Sequence, residues 1–345
     1  MNEGIYLNKD SLASCILIGI FMLVGIIGNT LMLRSLIKYK QLRIDIYVVF
    51  GGLALADIIN LAFAGPSRII YTIQATDVTT NAWCKISQYL SSSTGYVASY
   101  HIVILSVLRG IVLTNRGHPP PTPKHAFISS SVCWTIASLA SIPFFFIYEK
   151  DPKYTVCTYT DSTSLSTTLW LEAGFILFLP LMFILCLYGI TYSVGKRYFA
   201  DSYSGHARRT SRLINAIVIS FVVCQLPYQV LSIHLFYVHK GMAERAYNIQ
   251  DEDYLHTLFT VSDYMYCMVL LGKCLRPVLY SKLADDLGES FDEVINCTIC
   301  GKYYHTGAAV KRTRTRTRNA SSNSQAPLTS REQPTEEIDL QCEAI

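Results

Sequence analysis

The residues of this chain best placed to do chemistry are charged or thiol groups set in apolar surroundings. Asp57 lies within FGGLALADIINLAF, Glu172 within LWLEAGFILFL, and Lys273 and Arg276 stand three residues apart in MVLLGKCLRPVLY. A charge in such surroundings is expensive unless it is paired, so each marks a partner, a ligand or an ion path. Arg offers a planar fork that fits a carboxylate, which makes Arg276, or Lys273, a candidate internal partner for Asp57. The alternative is that Lys273 faces elsewhere and extends toward a polar boundary. Among eleven Cys residues, most lie in apolar stretches and behave as small hydrophobes. The exceptions, Cys84 and Cys157, flank such stretches on one side, where a disulfide is expected if that side is oxidising. Cys297 and Cys300 form a C-x-x-C beside His305, but no second ligand pair is near, so a zinc site has little support. No catalytic constellation, metal set or cofactor motif stands out, and an enzyme is not expected.

These residues need elements to hold them. The chain has 345 residues, is 51% hydrophobic and only 16% charged, and its mean hydropathy is positive; soluble chains carry nearer a quarter charged residues. Apolar runs near 12–37, 46–72, 82–114, 125–148, 168–196, 209–238 and 255–283 are each long enough to cross a bilayer as a helix. The first is too long for a cleavable leader. Basic residues cluster on one set of loops (Arg34, Lys38, Lys40, Arg43, Arg109, Arg116, Lys124, Lys196, Arg197, Arg208, Arg209 and Arg212), and the opposite loops carry Asp77, Glu149, Asp151, Asp161, Glu244, Asp251, Glu252 and Asp253. The positive-inside rule then puts residues 1–11 outside and the C-terminus in the cytoplasm, in a plasma-membrane protein. The expected class is an all-α membrane protein, a seven-helix bundle over 12–283. An amphipathic juxtamembrane helix follows over 284–300, and a disordered cytoplasmic tail over 301–345.

Polar landmarks recur along the spans in a specific order: Gly28-Asn29 in the first, Leu53-Ala54-Leu55-Ala56-Asp57 in the second, and Cys84 followed 25 residues later by Arg109 in the third. Trp134 and Pro143 follow in the fourth, Pro180 and Tyr188 in the fifth, Phe221, Cys224 and Pro227 in the sixth, and Pro277 and Tyr280 in the seventh. Taken together, from residue 12 to about 300, this set resembles a rhodopsin-like (class A) G-protein-coupled receptor. Leu279-Tyr280-Ser281 and Cys224-Gln225-Leu226-Pro227-Tyr228 resemble the chemokine-type branch, and Phe63-Ala64-Gly65-Pro66 the galanin-type branch. The short N-terminus without a Cys argues against an ordinary chemokine receptor. Ser91 and Leu270 stand where amine receptors place Asp and opsins place the retinal Lys, which disfavours both roles.

The resemblance implies a receptor for an extracellular peptide or chemokine-like ligand, coupled to a heterotrimeric G protein and to arrestin. The alternative is a non-signalling scavenger or modulator of the same fold. It implies a ligand pocket lined by Arg68, Gln88, Ser91, Glu172, Tyr228, Gln229, His234, Asp263 and Tyr266. It also implies switch positions at Asp57, Arg109, Tyr188, Gln225, Pro227, Lys273, Arg276, Pro277 and Tyr280. Several of these depart from the family pattern, and in that the chain resembles herpesvirus-encoded members. In the family Asp57 belongs to a sodium site shared with small polar groups, and the matching positions here are Ala98, Gly272, Lys273 and Arg276. Leu108 replaces the acid that restrains Arg109, which predicts ligand-independent signalling; Gly110 and the Gly117–Pro121 loop point instead to a spoiled G-protein surface. Gln225 replaces the Trp that links ligand to helix motion, while Pro227 keeps the hinge.

Beyond the bundle, Leu287, Phe291, Val294 and Ile295 are spaced for one face of a membrane-lying helix, with Cys297 and Cys300 as candidate palmitoylation sites. Lys311 to Arg318 alternates Thr with basic residues, a solvated segment or one drawn to anionic lipid. Nucleic-acid binding is not expected, because nothing folded accompanies that run.

Overall fold

A computed structural model describes residues 9–39, 45–73, 79–114, 122–150, 157–159, 162–198, 205–243 and 249–283, with 288, 290 and 294. Seven helices among the described residues are long and apolar enough to cross a membrane. The first three spans are α1 (Lys9–Lys38), α2 (Asp45–Thr72) and α3 (Asn81–Thr114). The fourth is α4 (Pro123–Ala140) continued by α5 (Ile142–Ile147). The fifth is α6 (Ser162–Ala173), a π-helical turn over Gly174–Phe178, and α7 (Leu179–Tyr198). The sixth is α8 (Gly205–Ala243) and the seventh α9 (Ile249–Leu283). Most of these helices outrun the apolar stretches read from the sequence, because hydropathy marks only the part that suits hydrocarbon. The seventh begins at Ile249, so the acidic run 251–253, read as loop, is helical.

Prolines shape the irregular points. Pro143 and Pro180 lack the N–H that a helix needs. The fourth span breaks at Ser141, whose N–H and hydroxyl both reach the Ala137 carbonyl, at 3.1 and 2.9 Å. The fifth span widens into its π turn immediately before Pro180. Pro66, Pro227 and Pro277 lie inside α2, α8 and α9. At Pro277 the missing donor frees the Lys273 carbonyl four residues back, and Asn29 Nδ2 of the first span donates to it at 3.4 Å. Gly28 lets the Pro277 ring come close, since a Cβ there would stand 3.0 Å from the ring. The Gly-Asn pair of α1 is therefore explained by the proline of α9.

The first span packs on the second and seventh, the sixth on the seventh, and the third touches the second, fourth, fifth and sixth. The outer faces are apolar, and the interior mixes apolar with polar side chains. Leu23, Ile27, Phe127, Ile136, Met182, Leu185 and Ile219 are each more than half exposed on outer faces, whereas Asn29, Asp57 and His101 are fully buried. Such a surface suits a lipid solvent. The described residues also include a feature absent from the sequence reading, an antiparallel hairpin of β1 (Tyr148–Lys150) and β2 (Cys157–Tyr159), with Lys150 opposite Cys157. Lys150 anchors it to the start of α3, its N–H on Asn81 Oδ1 at 3.1 Å and its Nζ on the Thr79 carbonyl at 2.6 Å.

Candidate functional site: a charged cavity between the spans

Cys84, in the first turn of α3, is disulfide-bonded to Cys157 of β2, with Cα atoms 5.4 Å apart. The bond draws the hairpin over one end of the bundle. Beneath it lies a cavity of about 450 Å³, lined by the second, third, fifth, sixth and seventh spans and by Tyr148 and Cys157 of the hairpin. Arg68, Gln88, Ser91, Glu172, Tyr228, Gln229 and Tyr266 line it. His234 and Asp263, expected there, do not. His234 points to Tyr254 at 3.5 Å on an exposed face. Asp263 is buried and bound to Arg68, Nη2 to Oδ1 at 2.6 Å and Nε to Oδ1 at 2.7 Å. Arg68 also donates to Ser262 Oγ at 3.0 Å, and its guanidinium lies 5.6 Å from the centre of the Tyr266 ring. Arg68 is thus committed to the seventh span rather than to Glu172. Glu172 accepts a bond from Ser92 Oγ at 2.8 Å, tying the fifth span to the third.

The floor of the cavity holds the buried charges. Arg276 Nη1 lies 2.5 Å from both Oδ1 and Oδ2 of Asp57. The contact uses one nitrogen, not the two-pronged fork, and Arg276 Nε is buried without a hydrogen-bond partner. Lys273 goes elsewhere: its Nζ donates to Asn60 Oδ1 at 2.8 Å. Asn60 in turn donates from Nδ2 to the Ser91 carbonyl and to Thr94 Oγ1, both at 3.0 Å. Asn60 was missed in the sequence. Its signal was its place, three residues after Asp57 on the same helix face. A sodium ion does not fit this donor set. Its carboxylate is already taken by a guanidinium, and Ala98, Gly272 and Lys273 supply no side-chain oxygen. Among the described residues no group of three His, Cys, Asp or Glu is placed to hold a metal.

At the opposite end Arg109 is held rather than free. Its Nε donates to Ser211 Oγ of the sixth span at 2.7 Å, and its guanidinium sits 4.2 Å from the centre of the Tyr188 ring. The Tyr188 hydroxyl donates to Asn215 Oδ1 of the same sixth span at 2.5 Å. Leu108 is buried and takes no part. Gly110 lies close to the fifth span, where a Cβ would stand 3.3 Å from Thr191 Oγ1. Tyr280 is fully buried with its ring 4.6 Å from that of Phe50 and its hydroxyl unpartnered, so it is not brought to Arg109. Gln225 lines the cavity one turn below Gln229, with Pro227 between them in α8. Cys297 and Cys300, and the tail with its Thr-basic run, lie outside the described residues.

The seven-span bundle agrees with comparisons to known proteins. The family model for the 7 transmembrane receptor (rhodopsin family) matches residues 28–280. Neuropeptide Y receptor type 6 of Mus musculus is 23% identical over 82% of this chain and 80% of its own length. The allatostatin-A receptor of Bombyx mori is 24% identical over 82% and 79%, and galanin receptor 2a of Danio rerio 22% identical over 84% and 79%. The chain is a multi-pass membrane protein, and it belongs to the rhodopsin family of seven-transmembrane receptors.

Proposed function

We propose that this protein is a receptor for an extracellular peptide, bound in the cavity beneath the hairpin and signalling through a heterotrimeric G protein at the Arg109 end. The observation that carries the reading is the cavity itself. Its volume of about 450 Å³ suits the end of a peptide rather than a whole chain, and it mixes aromatic walls with the acid of Glu172 and the cation of Arg68. Relatives named for neuropeptide Y, allatostatin-A and galanin support a peptide over a chemokine. Glu172 is the residue to meet a basic group of the ligand.

The same geometry supports signalling without ligand. With Leu108 in place of an acid, the restraint on Arg109 is a neutral hydroxyl and a ring face, each weaker than an ion pair. The resting state is correspondingly less favoured. In this reading the bundle lies in the plasma membrane with its hairpin outside, Cys297 and Cys300 carry palmitate, and the cytoplasmic tail meets arrestin.

The test is second-messenger output in cells that display the chain. A panel of amidated and free-acid neuropeptides is applied to wild type, Glu172→Gln and Arg109→Ala at matched surface level. Basal output that scales with expression, rises with one peptide class and collapses in Arg109→Ala supports the reading. A well-displayed chain that is silent in every arm yet internalises peptide supports a scavenger instead.

A further inference from the structure

The floor of the cavity carries more positive charge than the protein neutralises. Lys273 and Arg276 stand three residues apart on α9, on one face, where side chains begin only about 5–6 Å apart. Both line the cavity, and both are nearly fully buried, at 7% and 5% exposed. Asp57 is the carboxylate bound to Arg276, and both of its oxygens are engaged by the single nitrogen Nη1. The partner of Lys273 is the amide oxygen of Asn60, which is neutral. Asp263 is bound to Arg68, while Glu172 of the fifth span is bound only to the neutral Ser92 and keeps its own charge. The cavity as a whole is therefore near balance, and its floor, without Glu172, carries about one excess positive charge.

The donor count agrees with the charge count. An ammonium offers three N–H groups and a guanidinium five. Against these stand one carboxylate and one amide oxygen, and Arg276 Nε is left buried without an acceptor. A buried donor without an acceptor is costly, and a buried unpaired cation more so. What would complete the set is one acceptor carrying one negative charge.

We infer that the floor of the cavity, at Lys273 beside the Asp57–Arg276 pair, binds a small monovalent anion: a halide from solution or the carboxylate of a bound ligand. This inverts the polarity of the ion site that the family resemblance implies at these positions. It stands independently of which peptide fills the upper cavity, and its readout needs no peptide.

The experiment uses the full-length chain purified in detergent and follows its thermal unfolding at constant ionic strength. Sodium isethionate, which carries no carboxylate, is replaced by sodium chloride, by choline chloride or by sodium acetate. Binding to the folded state raises the midpoint by mass action, by about 2–4 °C at tens of times the dissociation constant. Chloride should raise it equally with sodium or choline as counter-ion, with saturation; Lys273→Met should remove the response, and Lys273→Arg should keep it. A response to acetate alone, also lost in Lys273→Met, identifies a carboxylate as the occupant. Equal midpoints in all four salts, or an anion response that survives in Lys273→Met, overturns the inference. Should Lys273→Met not fold, Lys273→Gln serves in its place, and the chloride–isethionate comparison on the wild type still decides whether a halide binds.

Discussion

One nitrogen of Arg276 stands 2.5 Å from each carboxylate oxygen of Asp57, joining the seventh span to the second where both side chains are almost wholly removed from solvent. Breaking a buried pair from one side leaves an uncompensated charge. Asp57→Asn is expected to cost about 3–5 kcal/mol of stability. The double variant Asp57→Asn/Arg276→Asn should recover most of that loss, which a thermal-unfolding double-mutant cycle would measure. Exchanging sodium for choline at constant chloride should leave the wild-type midpoint unchanged. A sodium effect that disappears in Asp57→Asn would falsify the internal pair.

Ser211 holds Arg109 through a single hydrogen bond to a half-buried guanidinium. Ser211→Ala removes an interaction worth about 1.5 kcal/mol, so the balance between resting and active forms should shift by close to tenfold. Basal second-messenger output should rise in Ser211→Ala and vanish when Arg109→Ala is added. An unchanged basal level at matched surface expression would show that Ser211 does not restrain the resting state.

The Cys84–Cys157 bond closes a loop of 73 residues that includes the whole fourth span. Cys84→Ser should lower stability by about 2–5 kcal/mol. It should also reduce peptide binding more than surface display, since the hairpin loses its tie to α3. Displayed receptor with undiminished binding would remove the hairpin from the ligand site.

Arg68 and Asp263 form a partly buried pair, their side chains 18% and 10% exposed. Asp263→Ala should leave the Arg68 charge facing the cavity and lower stability by about 3 kcal/mol or more. The exchange Arg68→Asp/Asp263→Arg should restore part of it. Equal stability of Asp263→Ala and wild type would mean that water, not Asp263, satisfies Arg68.

The sequence was most legible where a physical rule is strict. Hydrocarbon admits only long apolar helices as open-chain spans, and the seven runs followed from that. Cys84 and Cys157 stood out because both lie at the ends of apolar runs on the side expected to be oxidising. Legibility failed where the outcome depends on which of two neighbours a flexible side chain reaches. Lys273 and Arg276 were equal claimants on Asp57 by spacing, and only the packed bundle shows Lys273 turned to Asn60. Asp263 was placed in the cavity from its helix face, and its carboxylate is instead taken up by Arg68. His234 followed the same periodicity, but its side chain faces outward while Ser232, Leu235 and Phe236 of the same turn line the cavity. The hairpin was invisible because strands of three residues carry almost no periodic signal.

The contact between Asn29 and the carbonyl released by Pro277 joins residues 244 positions apart. Its two halves are therefore synthesised near the start and near the end of translation. Asn29 also donates from Nδ2 to the Gly25 carbonyl of its own helix, at 2.8 Å, a partner that does not depend on the seventh span. Cys267 and Cys274 of the seventh span likewise direct their thiols to the Ser14 and Phe21 carbonyls of the first, at 3.9 and 3.0 Å. A nascent chain lacking its last helix would carry the notch at Gly28 and the amide of Asn29 open to lipid and to any helix nearby. Docking of the seventh span against the first is thus the contact that covers these groups and closes the ring of helices.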